Sequence, residues 1–315
     1  MPLRIVFMGT AELACASLKA LLDSPQFAVL GAVTQPDRPK GRDLKLQPSP
    51  VKRIAAGAGL HVWQPERARH ADFLAELGAL RPDLLVVAAY GQILPQAMLD
   101  LPRFGGVNVH ASLLPKYRGA APIQWAILND EAETGVTIMK MAAGLDTGDI
   151  LSRRSVPILP EDNSATLHDR LAALGAELLV PTILEYTRGG ITPQPQVEAA
   201  ASYARKITKE DGRLDWGQTA RTLWNQVRAF TPWPGAFTGL AGNSTRRLLK
   251  IIRATIEENR RGQAGEILQA DKMGLVVACG HGALRIHELQ LEGGRKMTAA
   301  ELLAGHPLQP GTKIG

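Results

Sequence analysis

The sequence predicts an α/β chain in which a Rossmann-like, mostly parallel sheet domain precedes a smaller antiparallel β domain. Three observations carry this. Up to about residue 187, short continuous apolar runs alternate with stretches of helical period, as strands of a sheet covered by helices on both faces do. After Arg188-Gly189-Gly190, residues 191–196 are rich in Pro and Gln and suit an extended linker. Beyond it, strand-like segments recur with turn residues between them, the spacing of a small antiparallel barrel. The expected organisation is a first domain over 1–190, a linker over 191–205 and a second domain over 206–315.

In chain order, residues 3–8 form an apolar strand ending at Gly9, and Leu13, Ala14, Leu18, Leu21 and Leu22 follow at helical spacing. Residues 27–34, 83–89 and 107–110 read as further strands, with helical stretches around 49–57 and 71–80 between them. A strand over 136–141 leads into Ala143-Gly144-Leu145-Asp146-Thr147-Gly148-Asp149, a loop with two glycines and two carboxylates, and a long helix over 164–187 comes next. In the second domain a helix over 219–230 precedes strands over 248–254, 265–269, 274–278 and 284–291. Residues 35–45 are polar, broken by prolines and glycine, and fit neither period, so an exposed loop is expected there.

At 315 residues with 45% hydrophobic composition the chain can fill two cores. No apolar run reaches the roughly 18 to 20 residues of a membrane span, and the start lacks a long signal core, so a cytoplasmic protein with no membrane association is expected. Cys15 and Cys279 lie far apart and match no ligand spacing, which argues against a zinc site or a disulfide scaffold. The turn Gly9-Thr10-Ala11-Glu12 lacks the G-x-G-x-x-G pattern, so a nicotinamide oxidoreductase is not supported. Residues 1–205 balance 20 Lys and Arg against 20 Asp and Glu, whereas residues 206–315 hold 16 against 10. The whole net charge of +6 therefore belongs to the last third, which suggests a polyanionic partner. The same excess also suits a basic surface that only keeps the chain soluble.

The chemistry gathers around Asn108 and His110. Two apart on a strand, they project from one face while Val107 and Val109 project from the other. By itself the pair reads equally well as a strand end with satisfied polar groups. If the Asp146 loop closes over the same crevice, an amide, an imidazole and a carboxylate surround one spot. Asp149 competes with Asp146 for that place, and an Asp in a Gly-rich loop often only bonds its own turn. No Ser or Cys sits in a nucleophile elbow, so the nucleophile must come from a substrate. Acyl transfer to an amine fits: Asn108 and protonated His110 would donate to a developing oxyanion, and the carboxylate would help move the amine's proton. An α-amine, with a reference pKa of roughly 7.7 to 8.0, needs little activation.

Across nearly its whole length the chain resembles the folate-dependent formyltransferases, most closely those whose acceptor is methionine esterified to initiator tRNA. The resemblance rests on Asn108-Val109-His110, Ser112-Leu113-Leu114-Pro115, Tyr117-Arg118-Gly119-Ala120-Ala121-Pro122-Ile123-Gln124, Gly135-Val136-Thr137-Ile138-Met139 and Gly144-Leu145-Asp146-Thr147-Gly148-Asp149. It implies that 10-formyltetrahydrofolate is the formyl donor and that Asn108, His110 and Asp146 form the catalytic set. It also implies that Ser112, Leu113, Leu114 and Pro115 line the folate site, that backbone around Gln92 and Leu94 meets the pterin, and that no metal is needed.

For the acceptor, residues 35–45 look like the family's inserted loop that reaches the tRNA acceptor stem, with Arg38, Lys40, Arg42 and Lys45 as contacts and Arg42 as the key arginine. The basic second domain looks like an OB-type barrel that binds the tRNA backbone. A monomer is expected. Ala11 and Leu13 stand where the family usually has proline and phenylalanine, which implies altered packing and unchanged chemistry. Trp224, Phe230, Trp233 and Phe237 are expected in core packing or domain docking ahead of base stacking. The rival readings are a relative acting on an amino sugar, a formyl-folate hydrolase domain, and a non-catalytic RNA-binding relative.

Overall fold

The computed structural model describes residues 1–40, 45–240 and 247–315. In chain order the elements are β1 (Leu3–Gly9), α1 (Leu13–Leu22), β2 (Phe27–Val33), β3 (Arg38–Lys40), β4 (Lys45–Gln47), α2 (Pro50–Gly57), β5 (Val62–Trp63), α3 (Ala71–Ala79), β6 (Leu84–Ala88), α4 (Gln96–Leu99), β7 (Gly106–His110), β8 (Arg118–Gly119), α5 (Pro122–Leu128), β9 (Glu133–Lys140), β10 (Ile150–Pro157), α6 (Ser164–Thr187) and β11 (Tyr203–Ala204). They continue with α7 (Ala220–Ala229), β12 (Ala236–Leu240), β13 (Arg247–Glu257), β14 (Ile267–Asp271), β15 (Gly274–Ala278), β16 (Ala283–Leu291), β17 (Lys296–Thr298) and α8 (Ala299–Gly305).

The chain forms two compact units. The first comprises Met1–Pro122, Glu133–Pro157 and His168–Arg205, and the second Ile123–Ala132, Ile158–Leu167 and Lys206–Gly315. Two short segments from within the first 190 residues thus belong to the second unit. Within that unit Arg221 pairs with Asp130 at 2.8 Å, and the buried Arg228 donates to the carbonyls of Asp162 (2.7 Å) and Leu159 (2.8 Å). Such long-range ties between polar groups carry no periodic signal in sequence.

The first unit holds a seven-stranded sheet in the order β10-β9-β7-β6-β1-β2-β5. Pairings among β5, β2, β1, β6 and β7 are parallel, and β9 and β10 add an antiparallel edge. The inner strands are apolar without alternation because both faces are covered: Ile5, Phe7, Leu84 and Val86 have no accessible surface. Val6, Met8, Val33, Leu85 and Val87 share one cluster with Phe73 and Leu77 of α3 and Met98 of α4. On the other side of β7, Gly175 of α6 lies so close that a Cβ would sit 2.9 Å from Val109 Cγ1. Val109 therefore faces α6, and its neighbours Asn108 and His110 face away from it.

Residues 38–40 and 45–47 depart from the expected irregular loop. Arg38 pairs with Gln47, Pro39 with Leu46 and Lys40 with Lys45 in an antiparallel hairpin whose arms, three residues each, are too short to show a period. Arg42 lies outside the described residues. Asp37, at the root, bonds Lys52 Nζ at 2.7 Å and Gln64 Nε2 at 2.8 Å, and these bonds hold its carboxyl below the usual carboxylate range.

In the second unit the antiparallel strands run in the order β12-β13-β16-β15-β14, with β17 beside β16. This is the predicted antiparallel domain; its pairing path ends at β12 and β14. Bulges between Ile251 and Ala254 bend the long strand β13. Leu249, Ile251, Leu275, Val277, Leu284 and Ile286 form its core with Leu223 and Val227 of α7 and Leu302 of α8.

Candidate active site

β7 ends at His110, and the chain then turns through a loop tied down from below by Thr137. The Thr137 hydroxyl donates to Ser112 O (2.7 Å) and accepts from Leu114 N (3.1 Å). Ser112 Oγ closes the turn on Lys116 O at 2.7 Å. Tyr117 follows with φ +64°, and its carbonyl oxygen lies 2.9 Å from His110 Nε2. Since a carbonyl only accepts, Nε2 carries a proton, and Nδ1 is the nitrogen left to face the crevice.

The second half of the site comes from the loop between β9 and β10. A Cβ on Gly148 would overlap the Lys140 carbonyl oxygen, so the loop folds tightly back on its own strand. Asp146 takes the left-handed conformation, φ +52°, and its side chain reaches over β7. Oδ2 accepts from Gly119 N at 2.8 Å and lies 3.7 Å from His110 Nδ1, and Oδ1 lies 3.5 Å from Asn108 Nδ2. Both contacts to the catalytic candidates exceed the roughly 2.7 to 3.2 Å of a settled N–H···O bond. Asn108 Nδ2 thus keeps donor capacity for a guest oxygen, and His110 Nδ1 gains it when the ring is doubly protonated. The carboxylate has one oxygen committed to Gly119 and one turned to the opening.

The structure brings Asn108, His110 and Asp146 together and leaves Asp149 in the hairpin, where its carbonyl accepts from Lys140 N at 2.8 Å. Two partners escaped sequence reasoning because they are backbone groups: the Tyr117 carbonyl and the Gly119 N–H. A glycine with φ +114° directly after an arginine was the available signal for the second. Ser112 and Leu114 have no accessible surface and support the turn, whereas Leu113 and Pro115 keep partial exposure. Gln92 spends its side chain on Ala68 N (2.8 Å) and Glu66 O (3.3 Å), so only its backbone is left to meet a ligand, and Leu94 is buried.

A cleft of about 370 Å³ opens at the amino end of β7, lined by Leu99, Asp100, Arg103, Gly106, Lys140 and Tyr186 among others. It includes none of the three catalytic candidates, yet Gly106 is two residues before Asn108, about 7 Å along a strand. A Cβ on Gly106 would meet Leu99 Cδ2 at 3.2 Å and Met141 Sδ at 3.4 Å, so the glycine lets these two side chains pack closely against β7.

Of the four aromatics Trp224, Phe230, Trp233 and Phe237, the two phenylalanines are buried. Trp224 donates to Ala254 O at 3.1 Å with Arg228 4.1 Å from its ring centroid, and Trp233 is 57% exposed. Among the described residues no group of three His, Cys, Asp or Glu could hold a metal, and no helix is long and apolar enough to cross a membrane.

The sequence pattern of formyl transferases matches residues 3–183, and that of their C-terminal domain matches residues 206–307. The chain belongs to the formyl transferase family. Full-length relatives of this formyltransferase include the methionyl-tRNA formyltransferase of Geobacter metallireducens, 49% identical with 99% of both chains covered. That of Thiobacillus denitrificans is 51% identical over 99% of this chain and 100% of the relative. Among solved structures, HypX from Aquifex aeolicus in complex with tetrahydrofolic acid shares the fold at TM-score 0.64 and 20% identity; it matches 100% of this chain, which spans about half (51%) of HypX. The N-formyltransferase of Helicobacter canadensis, in complex with folinic acid and dTDP-3-aminofucose, matches 91% of this formyltransferase and 99% of its own length at TM-score 0.65 and 20% identity.

Proposed function

We propose that the chain transfers the formyl group of 10-formyltetrahydrofolate to the α-amine of methionyl initiator tRNA, giving the N-formylmethionyl-tRNA that starts translation. The observation that carries the chemistry is the convergence of Asn108, His110 and the Asp146 carboxylate within 3.5 to 3.7 Å on one strand face. The acceptor rests on full-length relatives, 49% and 51% identical, that are named for methionyl-tRNA.

The donor supplies an activated formyl carbon on a nitrogen that can leave. Asn108, His110 and Asp146 would hold its reactive end, with Leu113, Pro115 and the Gln92–Leu94 backbone along its ring. Asn108 Nδ2 and His110 Nδ1 donate to the formyl oxygen as negative charge builds on it. Each such donor is worth on the order of 3 to 4 kcal/mol. The α-amine forms its bond to the formyl carbon while Asp146 stabilises the charged imidazole ring through Oδ2; Oδ1 accepts the proton that the amine releases and passes it to the folate nitrogen as the bond from that nitrogen to the formyl carbon breaks. Both ring nitrogens of His110 then face acceptors, an arrangement that a doubly protonated ring satisfies.

On the tRNA side, Arg38 and Lys40 of β3, Lys45 of β4 and Arg42, between them in sequence, would contact the acceptor stem, and the basic second unit would contact phosphates. The reading places the enzyme in the cytoplasm as a monomer of 33.9 kDa, which light scattering measures. The deciding test incubates the purified protein with 10-formyltetrahydrofolate and charged initiator or elongator Met-tRNA. Formylmethionine on the initiator alone is expected, and its absence refutes the reading. Arg42→Leu should depress formylation at least tenfold while leaving folate binding intact; wild-type rates would remove Arg42 from the tRNA contact.

A further inference from the structure

Residues 194–204, expected as a passive linker, touch both halves of the candidate site. At one end Gln194 and Ile150 exchange backbone bonds of 2.8 and 2.9 Å, joining the segment to the far side of the Asp146 loop. Gln196 then donates both amide hydrogens into that loop, to Asp146 O at 2.8 Å and Gly148 O at 2.7 Å. Its Oε1 accepts from Arg118 Nε at 3.0 Å, and the almost fully buried Arg118 pairs with Glu198 at 2.9 Å. At the other end Ser202 Oγ accepts from Tyr117 N at 2.9 Å, and Ser202 O accepts from Arg118 N at 2.8 Å. The carbonyl that holds His110 and the loop that carries Asp146 are therefore fastened to one strap.

Asp146 needs such fastening. Its φ of +52° lies in the left-handed region, which costs a residue with a Cβ free energy, less for Asp than for most, so bonds to the loop carbonyls help hold it there. The Gly119 N–H aims the carboxylate, but it does not hold the backbone. Gln196 does, with each donor on a different loop carbonyl and the acceptor locked by a buried guanidinium. We infer that Gln196 is a positioning residue for formyl transfer, acting through the backbone of the Asp146 loop.

The inference rests on the formyltransferase reading, and the test separates the two. Wild type, Gln196→Ala and Gln196→Glu are assayed for kcat and for KM of both substrates, with thermal midpoints recorded. Gln196→Glu keeps the shape and the Arg118 contact while turning both donors into acceptors that face carbonyls, so it remains informative where the alanine variant folds poorly. A misplacement of the Asp146 side chain by about 1 Å costs roughly 100-fold. Both variants are expected to lose about that factor in kcat, with KM values within about twofold. In the Asp146→Asn background, Gln196→Glu should cost nothing further, because the two residues act as one unit. A kcat within about twofold of wild type in Gln196→Glu overturns the inference, and so does an equal loss in the Asp146→Asn background. An inactive wild type overturns the function itself.

Discussion

Replacing Asp146 by Asn removes one charge and little else, which makes it the sharpest probe of the site. The amide has the volume of the carboxylate, and its oxygen can still accept the Gly119 N–H that now bonds Oδ2 at 2.8 Å. What disappears is a negative charge 3.7 Å from His110 Nδ1, between side chains only 15% and 7% exposed. At an effective dielectric of about 20 that separation corresponds to roughly 4 kcal/mol of attraction for a charged imidazole ring. At 1.36 kcal/mol per factor of ten, the expected loss is on the order of a thousandfold. The assay is single-turnover formylation of Met-tRNA with enzyme in excess, paired with calorimetric titration of the folate. The expected result is a rate about three powers of ten down with folate affinity unchanged. A loss below tenfold would refute a role for the carboxylate charge, and a parallel loss of folate binding would make Asp146 a binding group.

Two further outcomes can be measured independently. Gly119→Ala places a Cβ 2.8 Å from Ala204 O on a backbone with φ +114°; strain of about 1 to 3 kcal/mol should lower the denaturant midpoint, and the displaced N–H should lower kcat as well, whereas an unchanged kcat would show that this donor does not aim Asp146. Burial pushes the thiol of Cys15 up to about 11 and that of Cys279 up to about 12; the reactive thiolate is therefore scarce at pH 8, and iodoacetamide should label neither cysteine in the native protein and both in guanidinium, so native labelling would contradict their burial.

Legibility followed the range of the interaction. The inner strands were readable because burial on both faces demands unbroken apolar runs, as at Leu84 to Ala88. The long helix Ser164–Thr187 carried its own period despite Pro181. The edge strand Ile150–Pro157 was not read, since its exposed Arg153, Arg154 and Ser155 hide the pattern of a strand packed on one side only. Asn108 and His110 could be placed on one face by the two-residue repeat alone. The choice between Asp146 and Asp149 could not be made that way. It turns on a loop conformation that Gly148 permits and Gly119 rewards.

By itself the sequence determined the layer architecture, the basic character of the last third and, through the motifs around Asn108 and Asp146, the kind of chemistry. All three follow from period, composition or local order, which are properties of neighbours along the chain. Only the tertiary structure decided which carboxylate faces the histidine, that the imidazole leans on the Tyr117 carbonyl, and that Gln196 reaches back 50 residues to grip the Asp146 loop. Those contacts join individual polar groups, from seven to 50 residues apart. They repeat with no period and bury little apolar area, so they leave nothing in the sequence for a pattern to detect.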